Sequence, residues 1–288
     1  MIRKLLFGNK DSRPPFLKAP LALPGERVRE KLEDEVMGFA IALSIPIFLI
    51  LLVIYKTIFS APLSHNLSFL VHSITTVPFF LFFYIYGKKK IKNIRTYRLG
   101  FIGEQVIGQE LERARSMGYT VFHDIYSDEK KFNVDHIAIG KAGIVVVETK
   151  AKSKPKKGSP EIKYDGKSII FPDKSYTVDP LDQVERNSTW IQELAHKLIA
   201  DERKPICQFN IKNPVPVVCV VVYPGWHIDY TEAQRNKAPV IVTNEQMLVD
   251  SVIKSLKQPV ELTDGMVEEL QDLFDYHLRE KNKRLIEY

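Results

Sequence analysis

Residues Gly38–Tyr55 (GFAIALSIPIFLILLVIY) run for 18 residues without a charged side chain, and no other feature constrains the fold as strongly. A helix rising about 1.5 Å per residue needs about 20 predominantly apolar residues to cross the hydrocarbon core of a bilayer. In a soluble domain so long an uncharged run would have to be covered on every side. A second block, Leu67–Tyr86 (LSFLVHSITTVPFFLFFYIY), is of similar length and rich in Phe and Tyr, although His72, Ser73, Thr75 and Thr76 dilute it. Each block holds one proline, Pro46 or Pro78, which membrane helices tolerate better than soluble ones. A charged, Pro-rich stretch precedes the first block and no small-residue cleavage site follows it, so the reading is an anchor and not a cleaved signal.

The flanking charges set the expected orientation. Arg3, Lys4, Lys10, Arg13, Lys18, Arg27, Arg29 and Lys31 precede the first block, and Lys88, Lys89, Lys90, Lys92, Arg95 and Arg98 follow the second. The connection Lys56–Asn66 offers only Lys56. By the positive-inside rule both ends of a two-helix hairpin would be cytoplasmic, a topology that suits an inner membrane. The expected organisation is a basic cytoplasmic segment (1–36), a transmembrane hairpin (37–87), a basic juxtamembrane linker (88–98) and a cytoplasmic domain (99–288). The Lys88–Arg98 cluster is either a topology signal alone or also a seat for anionic lipid headgroups.

Outside the two blocks the chain is richly charged, and its net charge of +6 points towards anionic partners. The two cysteines, Cys207 and Cys219, lack a metal-ligand spacing and demand no oxidising compartment.

From Gly103 the pattern turns helical, with Glu104, Ile107, Leu111 and Ala114 on one stripe that ends near Gly118. Strands follow at Tyr119–Ile125, Val134–Gly140 and Ile144–Lys150. The last two are joined by the turn Lys141–Gly143, as in a hairpin. Asp165-Gly166 marks a second hairpin within Glu161–Phe171. Asp179-Pro180 opens a helix that runs to about Ala200, with Asp179 as its expected cap. Val215–Tyr223 is an almost unbroken apolar run, as expected of a central strand covered on both faces. A short strand at Val240–Thr243 and helices near Asn244–Leu256 and Asp264–Lys283 close the chain. This order predicts a mixed α/β domain, a central sheet flanked by helices.

Chemistry concentrates on the third strand. Side chains alternate across a strand, so Glu148 and Lys150 share a face with Ile144 and Val146. Taken alone, this is equally an exposed, ion-paired strand end. Asp135 sits early in the adjoining hairpin strand, where it can approach Glu148. Two carboxylates held together repel one another, and a hard divalent cation such as Mg²⁺ or Mn²⁺ relieves the repulsion. Such an ion polarises a phosphodiester oxygen and activates water, while a nearby lysine orients the nucleophile and offsets developing charge. Glu104, in line with an apolar stripe, is costly to bury unless it is paired or bound to metal; an edge position is the plainer account of it alone.

Gly103-Glu104, Val134-Asp135-His136, Gly143-Ile144 through Glu148-Thr149-Lys150, and Asp179-Pro180 with Gln183 together resemble the nuclease-related domain (NERD) family of the PD-(D/E)XK nuclease-like superfamily. The resemblance spans roughly Leu99–Leu256 and is most specific over Gly103–Lys150. It implies a restriction-endonuclease-like fold and hydrolysis of nucleic-acid phosphodiesters with Mg²⁺ or Mn²⁺. Asp135 and Glu148 would be metal ligands and Lys150 the catalytic lysine. Glu104 would be a supporting acid, direct or through water, and Gln183 the polar helix residue that buttresses the site. His136 fits the family's Asp-His pair, more as a core or supporting histidine than as a proton carrier. The chain departs from the family at Asp179, where Asn is usual.

The basic loop Lys150–Lys157 (KAKSKPKK) leaves directly from this strand. Lys152, Lys154, Lys156 and Lys157 would contact phosphates there, or form only a solvated charge run. The reading is therefore a membrane-anchored, metal-dependent nuclease acting on nucleic acid, DNA in preference to RNA, in defence against foreign DNA or in DNA processing. A homo-oligomer is left open. The alternative is a tethered, non-catalytic nucleic-acid-binding or scaffold module.

Overall fold

The computed structural model describes residues 21–59, 65–127, 131–156, 158–200, 215–256 and 262–286, and the side chains of 53, 56–79, 255 and 282–286 lie outside that description. Arg3 to Lys18 of the basic N-terminal segment, residues 60–64 of the expected external loop, Lys157 and Cys207 are likewise outside the described residues.

Two long helices come first, α1 (Glu26–Phe59) and α2 (His65–Glu112). They run antiparallel. Lys90 Nζ lies 2.7 Å from Glu35 Oε2, Phe39 flanks Gly87, and Val28 flanks Gly100. The stretch Glu26–Leu52 of α1 is long and apolar enough to cross a membrane, and only 6 % of its apolar window is buried. Ile41, Phe48 and Leu51 are about as exposed as surface charges elsewhere, at 59 %, 63 % and 59 %. A core helix of a soluble domain would hide such residues, since large exposed apolar surfaces signal an interaction partner.

α2 corrects one expectation. The helix does not begin at Gly103; it is continuous from His65 through the basic stretch 88–98 and into the globular domain. Residues 79–99 contain no Pro and a single Gly, Gly87, so nothing in the backbone ends the helix there. A 3₁₀ turn (Arg113–Met117) then leads to Gly118, whose left-handed backbone (φ +84°) stops it as expected.

The remaining elements are β1 (Thr120–Ser127), β2 (Phe132–Gly140), β3 (Gly143–Thr149), β4 (Glu161–Tyr164), β5 (Ile169–Ile170), β6 (Tyr176–Thr177), α3 (Asp179–Ile199), β7 (Val217–Val222), β8 (His227–Asp229), α4 (Thr231–Arg235), β9 (Val240–Thr243), α5 (Glu245–Met247, extended by irregular helical turns to Ser255) and α6 (Asp264–Ile286). A five-stranded sheet in the order β1-β2-β3-β7-β9 forms the centre, and β6-β5-β4-β8 form a smaller sheet. In the large sheet β1, β2 and β3 are antiparallel neighbours, whereas β3, β7 and β9 are parallel. This is the mixed α/β class expected.

Alternation sorts the strand side chains between two helical layers. Ile137, Ile144 and Val146 face Val184 and Ile191 of α3 and Phe274 of α6. Ala138, Val145, Val147 and Val220 face Ile107 and Leu111 of α2 and Leu248 and Val249 beyond α5. Burial of both faces explains why β3 and β7 read as nearly continuous apolar runs. Each fully buried Val, Leu or Ile contributes about 1.5–3 kcal/mol relative to exposure.

Two turns differ in detail from expectation. The β2–β3 turn has two central residues, Lys141 and Ala142, because Gly140 pairs with Gly143. Gly143 has φ +95°, and a Cβ there would stand 2.2 Å from the Pro216 carbonyl oxygen, so only glycine fits. At the start of α3 the capping position belongs to Val178, which makes no side-chain cap, and Asp179 is already helical beside Pro180. The acid still favours the positive end of the helix dipole, which is why Asp serves there without capping.

Candidate active site

The C-terminal end of β3 gathers the predicted residues. Cα pairing of β2 with β3 runs to His136 opposite Val147, and one further step sets Asp135 opposite Glu148. Directly opposed residues of an antiparallel pair point to the same face. Asp135 accepts a hydrogen bond from the Thr149 N–H at 2.8 Å through Oδ2, which holds the carboxylate beside Glu148. Both acids are buried, at 8 % and 2 % exposure.

Lys150 reaches back to the same face. Its Nζ donates to Glu148 Oε1 at 2.6 Å and to Gln183 Oε1 at 2.8 Å. Its backbone N–H donates to the Val222 carbonyl at 2.9 Å, extending the β3–β7 ladder to this residue. Gln183 lies on the first turns of α3, and Asn187, one turn further, donates to Glu148 Oε2 at 3.3 Å. Asn187 is buried and was missed from the sequence. The available signal was its i+4 spacing from Gln183 on the buried stripe of α3.

Glu104 arrives from the other helical layer. α2 crosses the end of β3 so closely that a Cβ on Gly103 would stand 2.8 Å from the Ala151 Cβ. Glu104 is 6 % exposed, and its Oε2 is buried without a hydrogen-bond partner. Burial, then the charges of Asp124 and Glu148, push its carboxyl up to about 8. Burial and the Glu148 and Glu104 charges hold the Asp135 carboxyl well above the ordinary carboxylate range. Burial also raises Glu148, against the pull of Lys150. The three acids therefore act on one another electrostatically and share one low-dielectric patch.

His136 lies on the opposite side of β2 from Asp135. It is fully buried, with Nδ1 2.9 Å from Nδ1 of His123, and burial then the His123 charge hold its imidazole well below the usual histidine range. It is a neutral core residue. The basic loop is partly tied down: the Lys152 carbonyl accepts the Trp226 indole N–H at 3.1 Å, and Lys152 Nζ sits 3.2 Å from the centroid of the Phe171 ring. Lys154 lies against Gly225, and Lys156 is exposed.

In a comparison against known families, the family described as nuclease-related domain matches residues 99–224. Residues 99–224 carry a nuclease-related domain. That match begins within α2, five residues before Glu104, and includes Asp135, Glu148, Lys150 and Gln183. No curated protein and no solved structure matches the chain.

The donor set of the nuclease-related domain fits a hard divalent cation. Hard oxygen donors are present, their mutual repulsion calls for positive charge, and Glu104 Oε2 has an unused lone pair. They do not form a closed cage. Among the described residues no three Asp, Glu, His or Cys side chains are grouped closely enough to hold an ion by themselves. Mg²⁺ is commonly bound by one or two carboxylates with water completing its shell, so two of these acids suffice.

Proposed function

We propose that this chain is a membrane-anchored, divalent-metal-dependent nuclease that hydrolyses phosphodiester bonds, in DNA by preference, at the cytoplasmic face of the membrane. The observation that carries the reading is the Lys150 ammonium, held between Glu148 Oε1 and Gln183 Oε1 at the mouth of a buried acidic patch. A structural ion pair would not need a second acid at Asp135 and a third at Glu104 beside it, because burying like charges costs free energy.

A cation bound by Asp135 and Glu148, with Glu104 direct or through water, would supply Lewis-acid polarisation of the phosphate. The chain's own residues do the rest. Asp135 and Glu148 are fixed by the Thr149 N–H and the Asn187 amide, so their oxygens do not reorganise when substrate arrives. Lys150 holds its ammonium 2.6 Å from Glu148 Oε1. There it would orient the attacking water and offset negative charge that builds on the phosphoryl oxygens. Gln183 keeps the ammonium from collapsing wholly onto Glu148. Lys154 and Lys156 extend positive charge along the adjoining loop and would take the nucleic-acid backbone without reading its bases.

The membrane half of the reading is a hairpin of α1 and α2 with both ends cytoplasmic. Its support is the apolar exposure of α1, the antiparallel packing of the helices, and the uncharged second block. The Lys88–Arg98 cluster would meet anionic headgroups as α2 leaves the bilayer.

The deciding experiment uses the full chain in lipid nanodiscs with labelled DNA and RNA, with Mg²⁺, Mn²⁺ or chelator. Metal-dependent cleavage that disappears in Asp135→Ala and Lys150→Ala is expected. Binding of nucleic acid without cleavage under any metal would replace this reading with a non-catalytic binding module.

A further inference from the structure

The N-terminal base of α1 packs on the nuclease-related domain at a place the mechanism above does not use. A Cβ on Gly108 would stand 2.4 Å from Pro24 Cγ, so the chain lies directly on α2 there. Gly25 (φ +72°) sits equally close: its Cβ would be 2.9 Å from Phe101 Cδ2 and 3.4 Å from Glu104 Cβ. Two residues on, the Arg27 N–H donates to Asp124 Oδ2 at 2.6 Å. Arg27 also lays its guanidinium on Tyr126, with Cζ 3.5 Å from the ring centroid.

Asp124 suits this contact chemically. The first N–H groups of a helix have no partner within it, and a carboxylate there also meets the positive end of the helix dipole. The Asp124 side chain is 1 % exposed, and its backbone is left-handed (φ +54°), a conformation uncommon outside glycine. Its charge is also felt at Glu104, second only to burial. Segment 24–27, Asp124 and Glu104 thus form one contiguous packing unit.

We propose that Asp124 and the Pro24–Arg27 turn are positioning elements of the active site, holding Glu104 in place, so that the base of the membrane anchor is part of the catalytic domain. Asp124 does not touch the reacting atoms; it acts through α2 and Glu104. The family match begins at residue 99, yet residues that cover Glu104 begin at 24. The functional consequence rests on the nuclease reading, whereas the packing consequence does not.

The test takes the full chain in nanodiscs, with Asp124→Ala, Asp124→Asn, Gly25→Val and, for comparison, Glu35→Ala, which breaks the Lys90 ion pair further up the hairpin. Two quantities are read: the Mg²⁺ concentration for half-maximal cleavage, and amide hydrogen exchange over residues 101–108. Asp124→Ala and Gly25→Val are expected to raise the Mg²⁺ requirement about tenfold or more and to speed exchange over 101–108. Asp124→Asn, which still accepts the Arg27 N–H, should recover most of the loss, and Glu35→Ala should change neither quantity. An unchanged Mg²⁺ requirement with unchanged exchange, or an equal effect from Glu35→Ala, overturns the proposal. If the wild type cleaves nothing, the nuclease reading falls and exchange alone decides: faster exchange in Asp124→Ala but not Glu35→Ala supports positioning, and equal exchange overturns it. Should Asp124→Ala not fold, Gly25→Val carries the same comparison.

Discussion

Lys150 Nζ stands 2.6 Å from Glu148 Oε1 although the two residues are separated by a single position, because alternation along β3 returns both to one face. Glu148 is almost wholly buried while Lys150 is half-buried, so the ammonium closes the patch and still reaches solvent.

Replacing Lys150 by alanine should therefore separate catalysis from folding. Cleavage is expected to fall at least about 100-fold, the scale of losing a group that orients a nucleophile or stabilises transition-state charge. Binding of Mg²⁺, read as thermal stabilisation, should survive, since Glu148 loses a competing cation. Single-turnover cleavage and thermal melts with and without Mg²⁺ check both.

Asp135→Asn should keep the strand pairing, because the amide oxygen can still accept the Thr149 N–H. It should lose the metal. The expected outcome is a melting temperature near wild type without Mg²⁺, no added stabilisation when Mg²⁺ is supplied, and no cleavage.

Glu104 sets the expected pH dependence of stability. A carboxyl whose folded pKa lies above its unfolded value binds more protons when folded between those two values, so stability falls as pH rises through that interval. With Glu104 pushed from 4.5 to about 8, and Asp135 and Glu148 shifted in the same direction, metal-free protein should lose melting temperature from about pH 5 to pH 8. Mg²⁺ should reverse much of that loss by favouring the ionised forms. Glu104→Gln should flatten the metal-free profile. A metal-free melting temperature that rises across this range would contradict the buried acidic patch.

Gly103→Ala should push α2 off the end of β3, since the new methyl would stand 2.8 Å from the Ala151 Cβ. Overpacking of this size costs about 1–3 kcal/mol, and the cleavage rate should drop with it as Glu104 is displaced. Adding Ala151→Gly makes room and should restore both melting temperature and rate; a double variant no better than the single one would show that the contact is not the cause.

Much of this was legible in the chain alone. The charge-free run before Tyr55 follows from the solvent a helix must meet, and Glu148 with Lys150 on one face follows from strand periodicity; both are local properties. The stripe of Glu104, Ile107 and Leu111 was equally plain, and all three are buried. Periodicity did not show where that helix begins, because nothing in residues 88–98 distinguishes a charged helix from a charged linker. Tertiary structure alone decided who meets whom. Asn187 reaches Glu148 across 39 positions, and the Arg27 N–H reaches Asp124 across 97. Such pairs depend on sheet register and on how a helix crosses a strand end, and no local pattern records either. The sequence by itself determined a helix long and apolar enough to span a membrane and an acidic strand end with its lysine; only the packing of α1 and α2 on the sheet decided that the base of that helix and the buried acids share a wall.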